Sequence, residues 1–387
     1  MRIGLVVPEF PPDTIGGGGV VFEALALQLH ARGHDVRVLT SRTAGGPRGD
    51  DAAYPFPILR VRQFKHFTPQ YRTYMPPLPG RLLAARPFMR DRDVYHLHGY
   101  GMAFVDGAFA VLADADRTVF TTHGLPYTAR RSTGLLGALY GGYDRVVGSR
   151  VVRRSRALTA VSSAAAAEIR AAYGRDATVI PNGFEPLAAT AQPSGALDAE
   201  MAKGRYLLCV GRIEPLKGFE SVVRALRLLI DDGADLRLIV AGRDNTGLPA
   251  LERAIAQAGL EARVSLVGAV ARADLARLYA GAAVCVVASF AESFSLVTLE
   301  GMSGGVPCAL SAVGGMLDIG REGESALFFP PGDAAAIARA VARIEAEPGL
   351  RARLIAGGRA TVARYAWPRV AEAYEAVYAR VAVPVRA

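Results

Sequence analysis

The sequence predicts an α/β protein of two doubly wound parallel-sheet domains, and three observations carry that expectation. The chain has 387 residues, too many for one ordinary core and enough for two domains of α/β size. In each half, short apolar runs of strand length alternate with amphipathic helical stretches, the pattern of parallel strands covered on both faces. The first apolar run of each half is followed by a glycine-bearing loop, Gly16–Gly19 and Gly211–Gly218, at the sheet end where α/β proteins bind ligands.

The elements follow in order. Ile3–Val7 reads as a buried strand, and Val20–Arg32 as a helix whose Val21, Leu25 and Leu29 share one face until Gly33 ends it. Val36–Thr40 completes a βαβ unit, and Val94–His98, Thr118–Thr122 and Leu158–Val161 continue the first sheet. The second half repeats this with strands at Tyr206–Val210, Leu236–Ala241, Val264–Val267, Val284–Val287 and Pro307–Leu310. Trp367–Val381 closes the chain as an amphipathic helix through Val370, Tyr374, Val377 and Tyr378. The expected divisions are an N-terminal domain over 1–185, a Pro- and Gly-bearing linker over 186–204, a C-terminal domain over 205–365, and the helix over 366–387 packing back on the N-terminal domain.

With 51% hydrophobic and 21% charged residues and no repeat, the composition excludes disordered and solenoid classes. No apolar run approaches the roughly 18 residues of a membrane span, and Glu9 comes too early for a signal peptide, so the expected location is cytoplasmic. Cys209, Cys285 and Cys308 each lie in an apolar stretch, which suits buried reduced thiols. The net charge of +9 sits mostly in residues 1–185, with 23 basic against 15 acidic side chains there. An ordinary solvated surface accounts for that excess, and nucleic acid is not an expected partner.

Gly16, Gly17, Gly18 and Gly19 stand between a strand and a helix N-terminus, where backbone N–H groups can receive a phosphate. The dinucleotide fingerprint fails because position 21 is Val, and no acidic residue ends the second strand, so a nicotinamide cofactor is disfavoured. After Gly211, Arg212 and Lys217 place two cations at a sheet's carboxyl end, suited to a diphosphate. Glu292 and Glu300 flank a loop-to-helix passage whose Ser293, Phe294, Ser295 and Leu296 amides are donors for phosphate oxygens, while the carboxylates suit sugar and ribose hydroxyls.

The run Ala288–Pro307 containing Glu292 and Glu300 resembles the E-x7-E signature of the family 4 retaining glycosyltransferases, of the glycosyl transferases group 1 type. The resemblance extends through Gly211–Gly218, Val179–Gly183, Val313–Gly315, Thr121–Gly124, the glycine loop and the Trp367 helix, and so covers nearly the whole chain. It implies the GT-B fold, two Rossmann-like domains facing a central cleft, closing on the donor. The activity implied is transfer of a hexose-type sugar, with retention of configuration and without a metal, from a nucleotide diphosphate sugar, UDP- or GDP-linked being favoured. No cofactor is implied, the nucleotide sugar being a co-substrate.

Carried over residue by residue, Arg212 and Lys217 would neutralise the diphosphate, with Gly211 beside them. Glu300 would hold the ribose, and Glu292 with Ser293 and Phe294 the donor sugar. Ser295, Leu296 and the Gly16–Gly18 loop would complete the phosphate cradle, and His123 would contact the sugar from the N-terminal domain. The base would lie near Gly268–Val270 and Asp274. The chain departs from the family's commoner pattern at Gly301 and Ser303, where Ala is usual, and at Gly242-Arg243, where a Gly-x-Gly-Pro turn is usual. The second departure bears on the nucleobase side.

His98, Tyr100 and Tyr127 are the acceptor candidates, in an acceptor pocket lined by the 64–80, 98–107 and 123–135 loops. His96 alternates with His98 on one strand but has no third ligand at metal spacing, and is read as a core residue. Asp91-Arg-Asp93 has the form of a metal-binding D-x-D outside the expected architecture and is read as coincidence. The acceptor is a small molecule, a glycolipid or other lipid-linked molecule, or a glycan. Peripheral membrane contact through the basic N-terminal half and a homodimer stay open. So do two alternatives: a sugar-nucleotide-binding protein without turnover, and a GT-B epimerase. A phosphorylase needs a pyridoxal lysine, which three lysines in the chain poorly support.

Overall fold

The computed structural model describes residues 1–14, 17–43, 50–63, 79–100, 103–112, 114–124, 142–187 and 195–382. The chain forms two compact units: Met1–Gly183 with Tyr365–Ala387, and Phe184–Arg364.

The first unit holds a sheet of β1 (Arg2–Val7), β2 (Asp35–Thr43), β3 (Ile58–Gln63), β4 (Val94–His98), β5 (Thr118–Thr122), β6 (Ala157–Ala160) and β7 (Thr178–Val179). The order is β3-β2-β1-β4-β5-β6-β7, and every pairing is parallel. The central strands are apolar because both faces are covered; β1, β4 and β5 are buried almost throughout. The helix Gly17–Ala31 turns Val21, Leu25 and Leu29 inward, as the spacing predicts. The helix Ser163–Tyr173 starts where Ser162 Oγ accepts from the Ala165 N–H at 3.1 Å, and ends at Gly174, whose φ of +64° is left-handed.

The helix Trp367–Val381 belongs to this first unit. Glu375 accepts from Arg32 at 2.8 and 2.6 Å and lies 2.7 Å from His34 Nε2, which fastens it beside the first helix. Trp367 covers Gly183 so closely that a Cβ there would come within 2.2 Å of the indole.

The second unit holds β8 (Tyr206–Val210), β9 (Arg237–Ala241), β10 (Val264–Gly268), β11 (Val284–Val287), β12 (Cys308–Ser311) and β13 (Leu327–Phe329), ordered β10-β9-β8-β11-β12-β13 and parallel throughout. Helices Phe219–Asp231 and Ala334–Ala346 pack Val222, Leu226, Ile337 and Val341 onto the sheet, each fully buried. The three cysteines are free and buried, Cys285 and Cys308 standing in register on β11 and β12.

Part of the stretch read as linker is a helix of this unit, Gly195–Ala202. Its polar side chains hold it in place: Asp198 pairs with Arg277, and Glu200 Oε2 accepts from Ser265 Oγ at 2.6 Å. In each sheet the winding reverses beside the first strand of the unit, between β1 and β4 and between β8 and β11. Crevices for ligands open at the carboxyl ends of strands at such reversals. Among the described residues, no helix is long and apolar enough to cross a membrane.

Candidate functional site

In the second unit the loops leaving β8 and β11 meet. The loop after β8 carries Gly211, Arg212 and Lys217, and the loop after β11 carries Glu292 to Ser295. Phe290 N–H donates to the Leu216 carbonyl at 2.8 Å and joins them. Gly218 makes the junction close: its φ is +67° and a Cβ would sit 2.2 Å from the Ala288 carbonyl oxygen. On the other side Gly314, φ +51°, leaves room for the Glu292 carbonyl, which a Cβ would meet at 1.8 Å, and Gly315 N–H donates to that carbonyl at 3.0 Å.

Both cations expected to face a diphosphate are paired with acids. Lys217 Nζ donates to Glu292 Oε2 at 2.6 Å, both side chains half-buried, and Ser289 Oγ reaches the same oxygen at 3.4 Å. Arg212, more exposed, lies 3.1 Å from Glu214, whose other oxygen accepts from Asn245 Nδ2 at 2.8 Å. The turn after Gly242, which departs from the family pattern, clamps this loop: Ile213 N–H donates to Arg243 O at 2.8 Å, and Asn245 N–H to Ile213 O at 2.9 Å.

Ser295 begins the helix Leu296–Ser303 with φ +88°, and its Oγ accepts from the Thr298 N–H at 3.3 Å. Ser293 and Leu296 are half-buried, whereas Phe294 packs inward. The first-turn amides of any helix lack intrahelical acceptors and face an incoming anion. Glu300, on that helix, is half-buried and accepts from the fully buried Tyr279 hydroxyl at 2.9 Å. Burial raises its pKa above the ordinary carboxylate value, and the Tyr279 bond opposes the shift.

Val270 and Asp274, expected near the base, line a groove of about 600 Å³ with Glu200, Lys203, Arg237 and Val267. That groove runs beside the edge strand β10 and does not include Arg212, Lys217, Glu292 or Glu300.

In the first unit the matching sheet end collects Glu9, the glycine helix start, His98 and His123. Gly17 is exposed and Gly18 half-buried at the helix N-terminus. The anion found there is the chain's own: Gly19 N–H donates to Glu9 Oε1 at 2.8 Å, and a Cβ at Gly18 would come within 2.8 Å of the same oxygen. His123 is half-buried, with Nε2 3.2 Å from His98 Nδ1. Of the acceptor candidates, His98 and Tyr100 are buried, His98 beneath His123 and Tyr100 with its hydroxyl against that of Tyr173, so neither offers a side chain to solvent. Gly16 and Tyr127 lie outside the described residues, as does most of the 64–80 and 123–135 loops. His96 is buried in the core, and Asp93 is committed to Arg2 through its backbone and side chain.

Sequence reasoning missed Glu9, Glu214 and Tyr279. Glu9 lies two residues past the end of the first strand, a placement at the sheet's carboxyl end. Tyr279 precedes Glu300 by 21 residues with no motif linking them.

The glycosyl transferases group 1 model matches residues 199–361, and the glycosyltransferase family 4 model matches residues 15–186. A D-inositol 3-phosphate glycosyltransferase of Xylanimonas cellulosilytica is 31% identical over 403 residues, covering 96% of this chain and 94% of the relative. A phosphatidyl-myo-inositol mannosyltransferase of Mycobacterium leprae is 28% identical over 388 residues, covering 99% and 97%. Among solved structures, sucrose-phosphate synthase from Thermosynechococcus elongatus superposes with a TM-score of 0.76 at 24% identity, over 98% of this chain and 99% of that one. Anabaena HepE in complex with UDP-glucose gives 0.76 at 18% identity, over 98% and 100%. Two parallel-sheet units, motifs in order along the chain and full-length similarity agree: the chain belongs to glycosyltransferase family 4 of the group 1 type and has the GT-B fold.

Proposed function

We propose that this glycosyltransferase moves a hexose from a nucleotide diphosphate sugar, UDP- or GDP-linked, to a small-molecule, glycolipid or glycan acceptor, with retention and without a metal. The observation that carries the reading is the cluster at the β8/β11 reversal, where Lys217 and Glu292 share a hydrogen bond and Glu300 follows on the next helix. The solved HepE complexes hold UDP and UDP-glucose, which supports a nucleotide sugar as donor. The names of the relatives, which mention inositol phosphate and phosphatidylinositol, support an acceptor rich in hydroxyls.

In this reading Arg212 and Lys217 stabilise the charge that develops on the departing nucleoside diphosphate, and the Ser295–Leu296 amides share it. Lys217 turns from Glu292 toward phosphate, which frees the Glu292 carboxylate to accept from sugar hydroxyls. Glu300 accepts from the ribose, and His123 contacts the sugar. The acceptor oxygen bonds the anomeric carbon on the face from which the diphosphate oxygen leaves, and its proton passes to that departing oxygen, so no protein nucleophile is needed.

The test is a thermal-shift screen in EDTA against UDP, GDP, ADP, dTDP and their common sugar conjugates, on wild type and Glu300→Ala. A ligand at 100 times its dissociation constant stabilises by about 2.7 kcal/mol. One base family is expected to stabilise wild type and to act weakly on Glu300→Ala. Failure of every nucleotide would sink the reading. Binding without nucleoside diphosphate release would favour a non-catalytic binding protein.

A further inference from the structure

The three histidines of the first sheet are differently provided for. His96 uses both ring nitrogens, Nδ1 with the Tyr378 hydroxyl at 2.6 Å and Nε2 with Thr121 Oγ1 at 2.6 Å. His98, one residue pair further along β4 and 1% exposed, uses only one: Nδ1 lies 3.2 Å from His123 Nε2, and its Nε2 is buried with no hydrogen-bond partner among the described residues. Phe22 packs against both rings, with centroids 4.9 Å from His98 and 5.4 Å from His123. Burial brings His123 down to about 4 and holds His98 well below the ordinary imidazole range, so both are neutral at pH 7.

Two neutral imidazoles share one proton along the line between them, and whichever ring donates fixes the far nitrogen of each. If His123 donated, His98 would carry its own proton on Nε2, a buried N–H with nothing among the described residues to receive it. If His98 donates, its Nε2 is a bare lone pair. Buried N–H groups left without an acceptor are the rarer case. The second arrangement therefore prevails, and it leaves His123 with its proton on Nδ1.

We infer that His98 is a positioning residue: by donating from Nδ1 to His123 Nε2 it locks His123 in the Nδ1–H tautomer, a fixed donor aimed at a hydroxyl oxygen of the substrate. The assignment of the tautomer stands on the first unit alone, and its consequence for turnover rests on the reading of His123 as a sugar contact.

The experiment is nitrogen NMR on the full chain labelled with ¹⁵N-histidine, with His123 assigned by its loss in His123→Asn. A protonated Nδ1 and a bare, hydrogen-bonded Nε2 on His123 are expected in wild type, and the reverse would overturn the inference without need of any variant at His98. Kinetics add the second readout, as release of nucleoside diphosphate from the nucleotide sugar that stabilises the protein. His98→Phe keeps a ring of similar size without a donor and is expected to lower kcat about tenfold, the worth of one buried hydrogen bond, with KM for the donor little changed. His98→Asn restores an N–H near the Nδ1 position and is expected to recover most of that loss. Equal damage by both variants, or none by His98→Phe, would overturn the positioning role. His123→Ala separates the two layers: retained turnover there removes the sugar contact, whereas lost turnover there, together with an Nε2–H on His123 in the wild-type spectrum, removes the assignment to His98.

Discussion

Glu300 keeps a carboxylate half out of water, and the folded protein bears the cost. Its folded-state pKa is raised, so the folded chain binds that proton more tightly than the unfolded chain does. The ionised form therefore subtracts stability above the folded pKa, and the deficit vanishes as pH falls through it. Glu300→Gln is expected to raise the melting temperature of the ligand-free protein at neutral pH, by less as the solution is acidified, while weakening nucleotide binding about tenfold, as loss of one charged hydrogen bond does. Melting curves with and without nucleotide check both signs. Its neighbour Gly301 departs from the family's usual Ala for a reason visible in the core: a Cβ there would meet Cys308 Sγ at 3.0 Å and Cys285 Sγ at 3.2 Å. Gly301→Ala gains about 1 kcal/mol of helix propensity but is expected to lose about 1 kcal/mol net, because overpacking costs about 1–3 kcal/mol. Adding Cys308→Ala should relieve it, seen as favourable coupling in a double-mutant denaturation cycle. The residues legible from sequence, Lys217, Glu292 and Glu300, lie inside contiguous motifs. Tyr279 was not, because only tertiary packing brings its phenol to Glu300; Glu214 lies inside the Gly211–Gly218 motif, but nothing in that motif marks it as the partner of Arg212.

At its exposed face the C-terminal helix is tied to the first helix through one acid, Glu375. The Arg32 hydrogen bond, aided by His34, holds the Glu375 carboxyl down to about 2, so its contribution is present above its ordinary pKa of about 4.5 and is lost as pH falls toward about 2. Glu375→Gln is expected to cost about 1 kcal/mol at neutral pH, the modest worth of a partly exposed pair, and to match wild type once the acid range is crossed. Hydrogen exchange over Trp367–Val381 and acid melts read this out. The first and last helices and the central strands were readable because burial writes an unbroken apolar run or a clean helical face, whereas the short helix Gly195–Ala202 fell in the stretch read as linker. Three strands were not: β3, β7 and β13, each at a sheet edge. Ile58–Gln63 alternates with arginines, Thr178–Val179 is two exposed residues long, and Leu327–Phe329 is three long. An edge strand has one neighbour and often one wet face, so neither its length nor its pattern stands out from a loop.

Each unit of the molecule has its own core, but they are drawn differently from the chain. The second is continuous, Phe184–Arg364, whereas the first needs Tyr365 onward to be complete. A fragment of 184–364 is therefore expected to melt cooperatively by circular dichroism and to keep its nucleotide-induced stabilisation, while a chain ending at 364 should lose the first unit's transition, because Tyr374 and Tyr378 no longer cover His96. Trp367 is the chain's one tryptophan, and it lies against Gly183, where the backbone leaves the first unit, in the helix by which it returns. Intrinsic fluorescence excited in the indole band is thus an optical tag on that unit alone. Followed beside far-ultraviolet ellipticity, which averages over every helix, the emission tells which half of the enzyme lets go first, with no label added.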